Sequence, residues 1–294
     1  MSLPIDTYCI ECNLRRNLAL AHSLGDETKA TAFLKDFLRA IADLPEGAPS
    51  PVLGPHLTDL LEKHYGLPQD RFRQEKATSN QFVLERLDTI REKVAAAADP
   101  LLAGLQFAVL GNYLDFSALQ GKVSFQDLDA MLDKALTLDL DGEAFRDFRR
   151  DLSQAKKLLY LTDNAGEIGF DRVFGETIHR LYPDVAITFC VRGKIAVNDA
   201  TRADAEAVGI PFPIIDNGNR VAGTVLELMS PESRQAMEEA DLILAKGMGN
   251  CETLFGCGYN IYYAFLIKCE KFQSIFRKSL MSPMFVRDPE YRER

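Results

Sequence analysis

Apolar positions recur every three or four residues from Cys12 to about Arg150: Leu34, Phe37, Leu38 and Ile41; then Phe82, Leu84, Leu87 and Ile90; then Leu128, Met131, Leu132 and Leu136. Such spacing lines one face of a helix, so residues 1–150 read as an all-helical region. The proline-rich stretches Leu44-Pro45-Glu46-Gly47-Ala48-Pro49-Ser50-Pro51 and Gly66-Leu67-Pro68 divide it into two sub-parts near 44–68. Asp99-Pro100 predicts a further helix boundary, because the residue before a proline is pushed out of the helical region.

After Asp151 the pattern changes to short runs of Leu, Ile and Val alternating with helical stretches, as expected of a parallel sheet with crossover helices. Residues 151–294 are therefore expected to form an α/β unit with a mainly parallel, Rossmann-like sheet. The strands expected are Lys157 to Thr162, Ala186 to Val191, Phe212 to Ile215 and Leu242 to Ala245. Each is followed by polar residues: Asp163-Asn164, Arg192-Gly193, Asp216-Asn217 and Lys246-Gly247. If the strands are parallel neighbours, these groups converge on one edge of the sheet, where ligands of open α/β sheets bind. From Arg277 the periodicity is lost, and a mobile or docked tail is expected.

Three loops at this edge carry candidate chemistry. Asp163 and Asn164 offer a carboxylate and an amide oxygen, with Glu167 and Asp171 four residues apart on the next helix. The bland alternative is a capping aspartate and a turn glycine. Asp199, after the second strand, completes an oxygen-rich set with Asp163 and Asn164 or else caps the helix that follows. With no histidine beside either motif, such a set favours Mg²⁺ or Mn²⁺ over zinc. In Lys246-Gly247-Met248-Gly249-Asn250, glycines let backbone amides turn toward an anion and the lysine adds charge, although an ordinary strand-to-helix turn has the same composition. GxxxxGK[ST] is absent, and Gly247-Met248-Gly249 lacks the third glycine of a dinucleotide fingerprint.

Composition narrows the partners. A net charge of −9, with no basic run interleaved with aromatics, argues against nucleic acid. No apolar run has the ~18 residues of a membrane span, and the start lacks a signal peptide's pattern, so a cytoplasmic location is expected. Six cysteines do not make a disulfide scaffold in a chain of 294 residues. Cys9 and Cys12 have the spacing of half a zinc site, but no second CxxC follows and they are read as thiols on the first helix. His22, His56, His64 and His179 form no catalytic spacing with a serine or cysteine.

DNAGEIGFD, RGKIAVNDAT and KGMGN, in this order and at these separations, resemble the motifs of the damage-control phosphatases, a family of metal-dependent phosphatases first catalogued as a domain of unknown function. Gly111-Asn112-Tyr113-Leu114-Asp115-Phe116 resembles a helical segment of that family. The paired cysteines ahead of Leu14-Arg15-Arg16 resemble the start of its prokaryotic branch. The resemblance implies that Asp163, Asn164 and Asp199 hold a divalent metal (Mn²⁺, Mg²⁺, Co²⁺ or Ni²⁺) and that Lys246 with its loop holds phosphate. It implies an acidic site role for Glu167. Ile195 stands where the family often has proline. Asn112 and Asp115, one helical turn apart, either line the pocket or make inter-domain hydrogen bonds.

The expected function is metal-dependent hydrolysis of phosphate monoesters of small, side-product or damaged metabolites. Gly247, Gly249, Asn250 and Arg192 would join Lys246 on the phosphate. Two nucleophiles are open, metal-activated water, which is favoured, and a carboxylate. An S-adenosylmethionine-dependent methyltransferase and a non-catalytic phosphometabolite sensor are the competing expectations. Substrate and oligomeric state are not encoded in any recognisable pattern.

Overall fold

The computed structural model describes residues 2–114, 130 and 132–292. Asp115, Leu128 and Met131 lie outside the described residues. The helical region opens with α1 (Thr7–Ser23), α2 (Glu27–Ala42) and α3 (Leu53–Tyr65). Asp6 and Asp26 cap the first two, each accepting a hydrogen bond from a backbone amide of the first turn, and Gly66 ends α3 in the left-handed conformation. These three helices share a small core of Ala21, Ala30, Phe33 and Leu61.

Then come α4 (Arg73–Leu84), α5 (Leu87–Ala96) and α6 (Pro100–Gly111). The boundary expected at Asp99-Pro100 is where α6 begins, with Asp99 as its cap and Pro100 in its first turn. Nearly every residue of α6 is buried, because it lies between the other helices and the sheet: Leu101, Leu105 and Val109 join the sheet's core, while Phe107 and Leu110 join that of α4 and α5. Its last residue, Gly111, passes so close to the next layer that a Cβ there would stand 2.9 Å from Phe170 and 3.1 Å from Glu167 Cγ. The missing side chain brings the end of α6 onto the candidate site.

After α7 (Gly142–Gln154), strands β1 (Lys157–Leu161), β2 (Ala186–Val191), β3 (Ile214–Asp216), β4 (Leu242–Lys246), β5 (Ile261–Leu266) and β6 (Pro283–Arg287) form one sheet in the order β3-β2-β1-β4-β5-β6. The first five are parallel, four of them the strands that the patterning predicts, and β6 runs antiparallel at the edge beside β5. The crossovers include α8 (Glu167–Leu181), α9 (Arg202–Ala207), α10 (Pro231–Glu239), α11 (Gly247–Leu254) and α12 (Glu270–Phe276). One apolar cluster, with Tyr160, Phe174 and Phe189, fills the face under α6, α7 and α8; another, with Leu161, Ile243 and Phe265, fills the opposite face.

The structure adds to two expectations. Strands β5 and β6, which follow β4, are not among the four expected. Beyond Arg277 the chain is docked and not mobile, since Pro283 to Arg287 pair with β5 as a strand and bury Met284 and Phe285. Ile261 to Leu266 is buried throughout like β4, but it is built on Tyr262, Tyr263 and Phe265 and departs from the Leu, Ile and Val runs that marked the other strands, while β6 is short and flanked by charge. Among the described residues no helix is long and apolar enough to cross a membrane.

Candidate active site at the switch point

The strand order runs outward from β1 through β2 to β3, then returns to the other side of β1 at β4, which makes the carboxyl ends of β1 and β4 the topological switch point. Backbone bonds set the side chains there. Asp199 and Asn164 pair in an isolated antiparallel bridge, with Ala165 N–H donating to Asn198 O (2.9 Å) and Ala200 N–H to Asp163 O (2.7 Å). The loops after β1 and β2 are thereby tied together, and Asp163, Asn164, Asn198 and Asp199 share one buried spot. Asp199 is no cap: the N-cap of α9 is Thr201, which forms a capping box with Asp204. Gly166, at φ 76°, turns the chain into α8, and its N–H donates to Asn80 Oδ1 of α4.

The side chains interlock. Asp163 Oδ2 accepts from Asn112 Nδ2 (3.0 Å) and Asn164 Nδ2 (2.7 Å). Glu167 Oε2 accepts from the same two amides, each at 2.9 Å. A nitrogen flanked by two carboxylates must be the N–H end of the amide, so Asn164 Oδ1 points the other way, where it accepts from Asn198 Nδ2 (2.9 Å). Asn112 reaches the site from the end of α6, and its Oδ1 takes the Leu266 N–H of β5. Of the two helical-region candidates, Asn112 is in the site and Asp115 is outside the described residues.

Lys246 ends β4 with its ammonium wholly enclosed. Nζ donates to Ala108 O (2.7 Å), Glu167 Oε1 (2.5 Å) and Asp171 Oδ1 (2.9 Å), which uses all three hydrogens. Burial works against this charge, but Asp171 and Glu167 outweigh it and hold the lysine pKa above its ordinary range. Asp171 Oδ1 also accepts from Tyr160 OH (2.7 Å), whereas its Oδ2 has no partner. Burial raises Asp171 from 3.8 to about 6, with Lys246 pulling the other way.

Arg192 ends β2. Its Nε donates to Asp199 Oδ2 (2.6 Å), and Nη1 to Gly223 O (3.0 Å) and Asn250 Oδ1 (3.2 Å). Nη2 is buried without a hydrogen-bond partner, 4.0 Å from Asp163 Oδ1. Asn250 is bound on both sides: its Nδ2 donates to Thr162 O and Lys246 O, and its Oδ1 also takes Thr224 Oγ1. Gly247, at φ 79°, lies against Asp163, where a Cβ would stand 2.0 Å from Oδ2. Gly249 packs as tightly on Ala222 O. Lys246, the residue before α11, makes no side-chain cap hydrogen bond, and the first turn of the helix adjoins Asp163.

The fourth polar strand end behaves differently. Asn217 Oδ1 accepts the Gly193 and Asn219 amides and Asp216 Oδ1 accepts that of Gly218, so this pair braces the loops after β2 and β3. Asn198, Asn80, Thr224 and Tyr160 were not singled out from sequence. Asp171 was visible only as an acid four residues from Glu167, a repulsive pair that makes sense once a cation sits between them.

The expected donor set is two carboxylates and an amide, and among the described residues no three His, Cys, Asp or Glu side chains are arranged to hold a metal. The charges nevertheless suit one. Four buried acids, Asp163, Glu167, Asp171 and Asp199, face two buried cations, Lys246 and Arg192, leaving a surplus of two negative charges, which one divalent cation would balance.

The chain matches the damage-control phosphatase ARMT1-like domain over residues 5–279. It is 31% identical to an uncharacterized protein of Methanocaldococcus jannaschii over 92% of this chain and 90% of that one. It is 30% identical to a damage-control phosphatase of Archaeoglobus fulgidus, over 91% and 93%. A crystal structure of a DUF89 family protein from Pyrococcus horikoshii superposes with a TM-score of 0.82 at 25% identity, covering 98% of this chain and 99% of the other.

Proposed function

The chain belongs to the damage-control phosphatase ARMT1-like family, and on that premise we propose that it hydrolyses phosphate monoesters of small metabolites, with a divalent cation held by Asp163, Asn164 and Asp199. One juxtaposition carries the proposal: buried acids with two charges in excess stand beside a buried guanidinium nitrogen, Arg192 Nη2, that has no hydrogen-bond partner. The acids suit a cation and the nitrogen suits an anion, the pairing a metal-bound phosphate needs.

When bound, the cation would offset the charge that grows on the phosphoryl oxygens and promote attack by water. The protein's own groups do the rest. Asn164 is oriented by Asp163 and Glu167 so that its Oδ1, and not its N–H, is available to the cation. Arg192 Nη2 holds a phosphoryl oxygen, and the amides at the start of α11 face a second one. Gly247 and Gly249 allow that backbone to approach. Water adds to phosphorus, the ester P–O bond breaks, and the alcohol leaves with a proton while orthophosphate remains.

The test is a screen of phosphate monoesters against Mn²⁺, Mg²⁺, Co²⁺ and Ni²⁺, with wild type beside Asp163→Asn. Turnover by the wild type should fall by about 1,000-fold in the variant. In single turnover in heavy-oxygen water, label should enter phosphate directly. Label in Asp163 would replace water with a carboxylate nucleophile, and tight binding of S-adenosylmethionine without Mn²⁺ binding would overturn the phosphatase reading.

A further inference from the structure

We infer that Lys246 is a positioning residue for the cation site and not a ligand of substrate phosphate, acting through Glu167 on the amide of Asn164. The inference rests on the cation site proposed above. An ammonium has three hydrogens, and those of Lys246 go to Ala108 O, Glu167 Oε1 and Asp171 Oδ1 in a site with no exposed surface. To reach a phosphate it would have to abandon two buried carboxylates, which is costly.

What Lys246 does touch has a consequence for the cation. Glu167 is gripped from both ends, Oε1 by the ammonium and Oε2 by Asn112 and Asn164. The two hydrogens of the Asn164 amide are both spent, on Asp163 and Glu167, which sets the sense of that amide. Removing the ammonium leaves Glu167 Oε1 without this donor, and the side chain relaxes away from Asn164. The amide then loses one of the two acceptors that keep its N–H turned from the cation. Groups that orient ligands in this way influence metal affinity by about 10- to 100-fold.

Charge alone predicts the opposite sign. Deleting a positive charge close to a cation site should tighten cation binding. The sign of the change therefore separates positioning from simple electrostatics.

The experiment is Mn²⁺ titration by calorimetry of chelator-stripped Lys246→Met, with folding checked by circular dichroism. The expected result is a Kd raised about 10- to 100-fold. At saturating Mn²⁺, the KM for a phosphate monoester should stay within about threefold of wild type. Unchanged or tighter Mn²⁺ binding overturns the inference, as does a KM raised tenfold or more at unchanged Mn²⁺ affinity, the mark of a phosphate ligand. Should Lys246→Met fail to fold, Lys246→Met/Asp171→Asn removes one charge of each sign and still deprives Glu167 of its ammonium. The same loss of Mn²⁺ affinity is expected there, and wild-type affinity overturns the inference. Asp163→Asn, titrated in parallel, separates the two levels: if it binds Mn²⁺ like wild type, the cation site itself fails. If it loses Mn²⁺ while the Lys246 variants keep it, only the role of Lys246 fails.

Discussion

Lys246 and Arg192 close two strands of the same sheet edge with cations hidden from water, yet their surroundings differ in one respect. Behind the site, Lys246 spends every hydrogen on protein oxygens. In front of it, Arg192 is anchored through Nε and Nη1 while Nη2 remains buried and unpartnered beside Asp163. Buried donors are almost always satisfied, so a saturated one accounts for itself by what it holds, and an unsatisfied one asks for a ligand. Both residues end strands, carry positive charge and look alike in sequence. Their hydrogen-bond inventories give them different work.

The largest effect that would sharpen this contrast is expected from Arg192→Met. Asp199 would lose its 2.6 Å partner in a buried setting, costing about 3–5 kcal/mol of stability by denaturant titration. Activity per substrate encounter should fall by about 100-fold or more, through loss of phosphate binding. Retained affinity for phosphate esters in a folded Arg192→Met would break the contrast. Gly247→Ala comes next, because it disturbs the backbone between the two regions. Left-handed backbone costs an L-residue about 1–2 kcal/mol, and the new Cβ would displace Asp163, so metal-dependent turnover should drop by as much as about 100-fold. Wild-type turnover would show that Asp163 need not be held so closely.

The smallest effect belongs to the rear of the site. Burial raises Asp171 from 3.8 to about 6, so the native state keeps its proton at pH values where the unfolded chain has lost it. Between about pH 4 and 6 the native state thus binds more protons, and the stability this group contributes falls as pH rises through that window. Asp171→Asn should flatten that part of the profile in denaturant melts from pH 4 to 7. An unchanged slope would mean that Asp171 is not the group responsible.

The helical first half, the change of pattern at Asp151 and four parallel strands were legible because period and strand length are local properties of the chain. The two missed strands show where that stops. Strand β5 is buried like β4 but carries Tyr262, Tyr263 and Phe265 in place of a Leu, Ile and Val run, and an antiparallel edge strand takes its register from a neighbour. At the site, the spacing of DNAGE, NDAT and KGMGN picked out the strand ends that meet, while Asp216-Asn217, equally polar, braces the loops after β2 and β3.

The sequence by itself determined which residue types stand after which strands, since a parallel sheet must bring those ends to one edge. Only the tertiary structure decided what each does there. Whether a carboxylate caps a helix or joins a site, and whether an ammonium is spent or a guanidinium nitrogen is left over, depends on partners supplied by distant segments: Asn112 of α6 reaches Asp163 and Glu167, and Ala108 O takes one hydrogen of Lys246. Hydrogen-bond capacity is a count over neighbours in space, and no local pattern contains it.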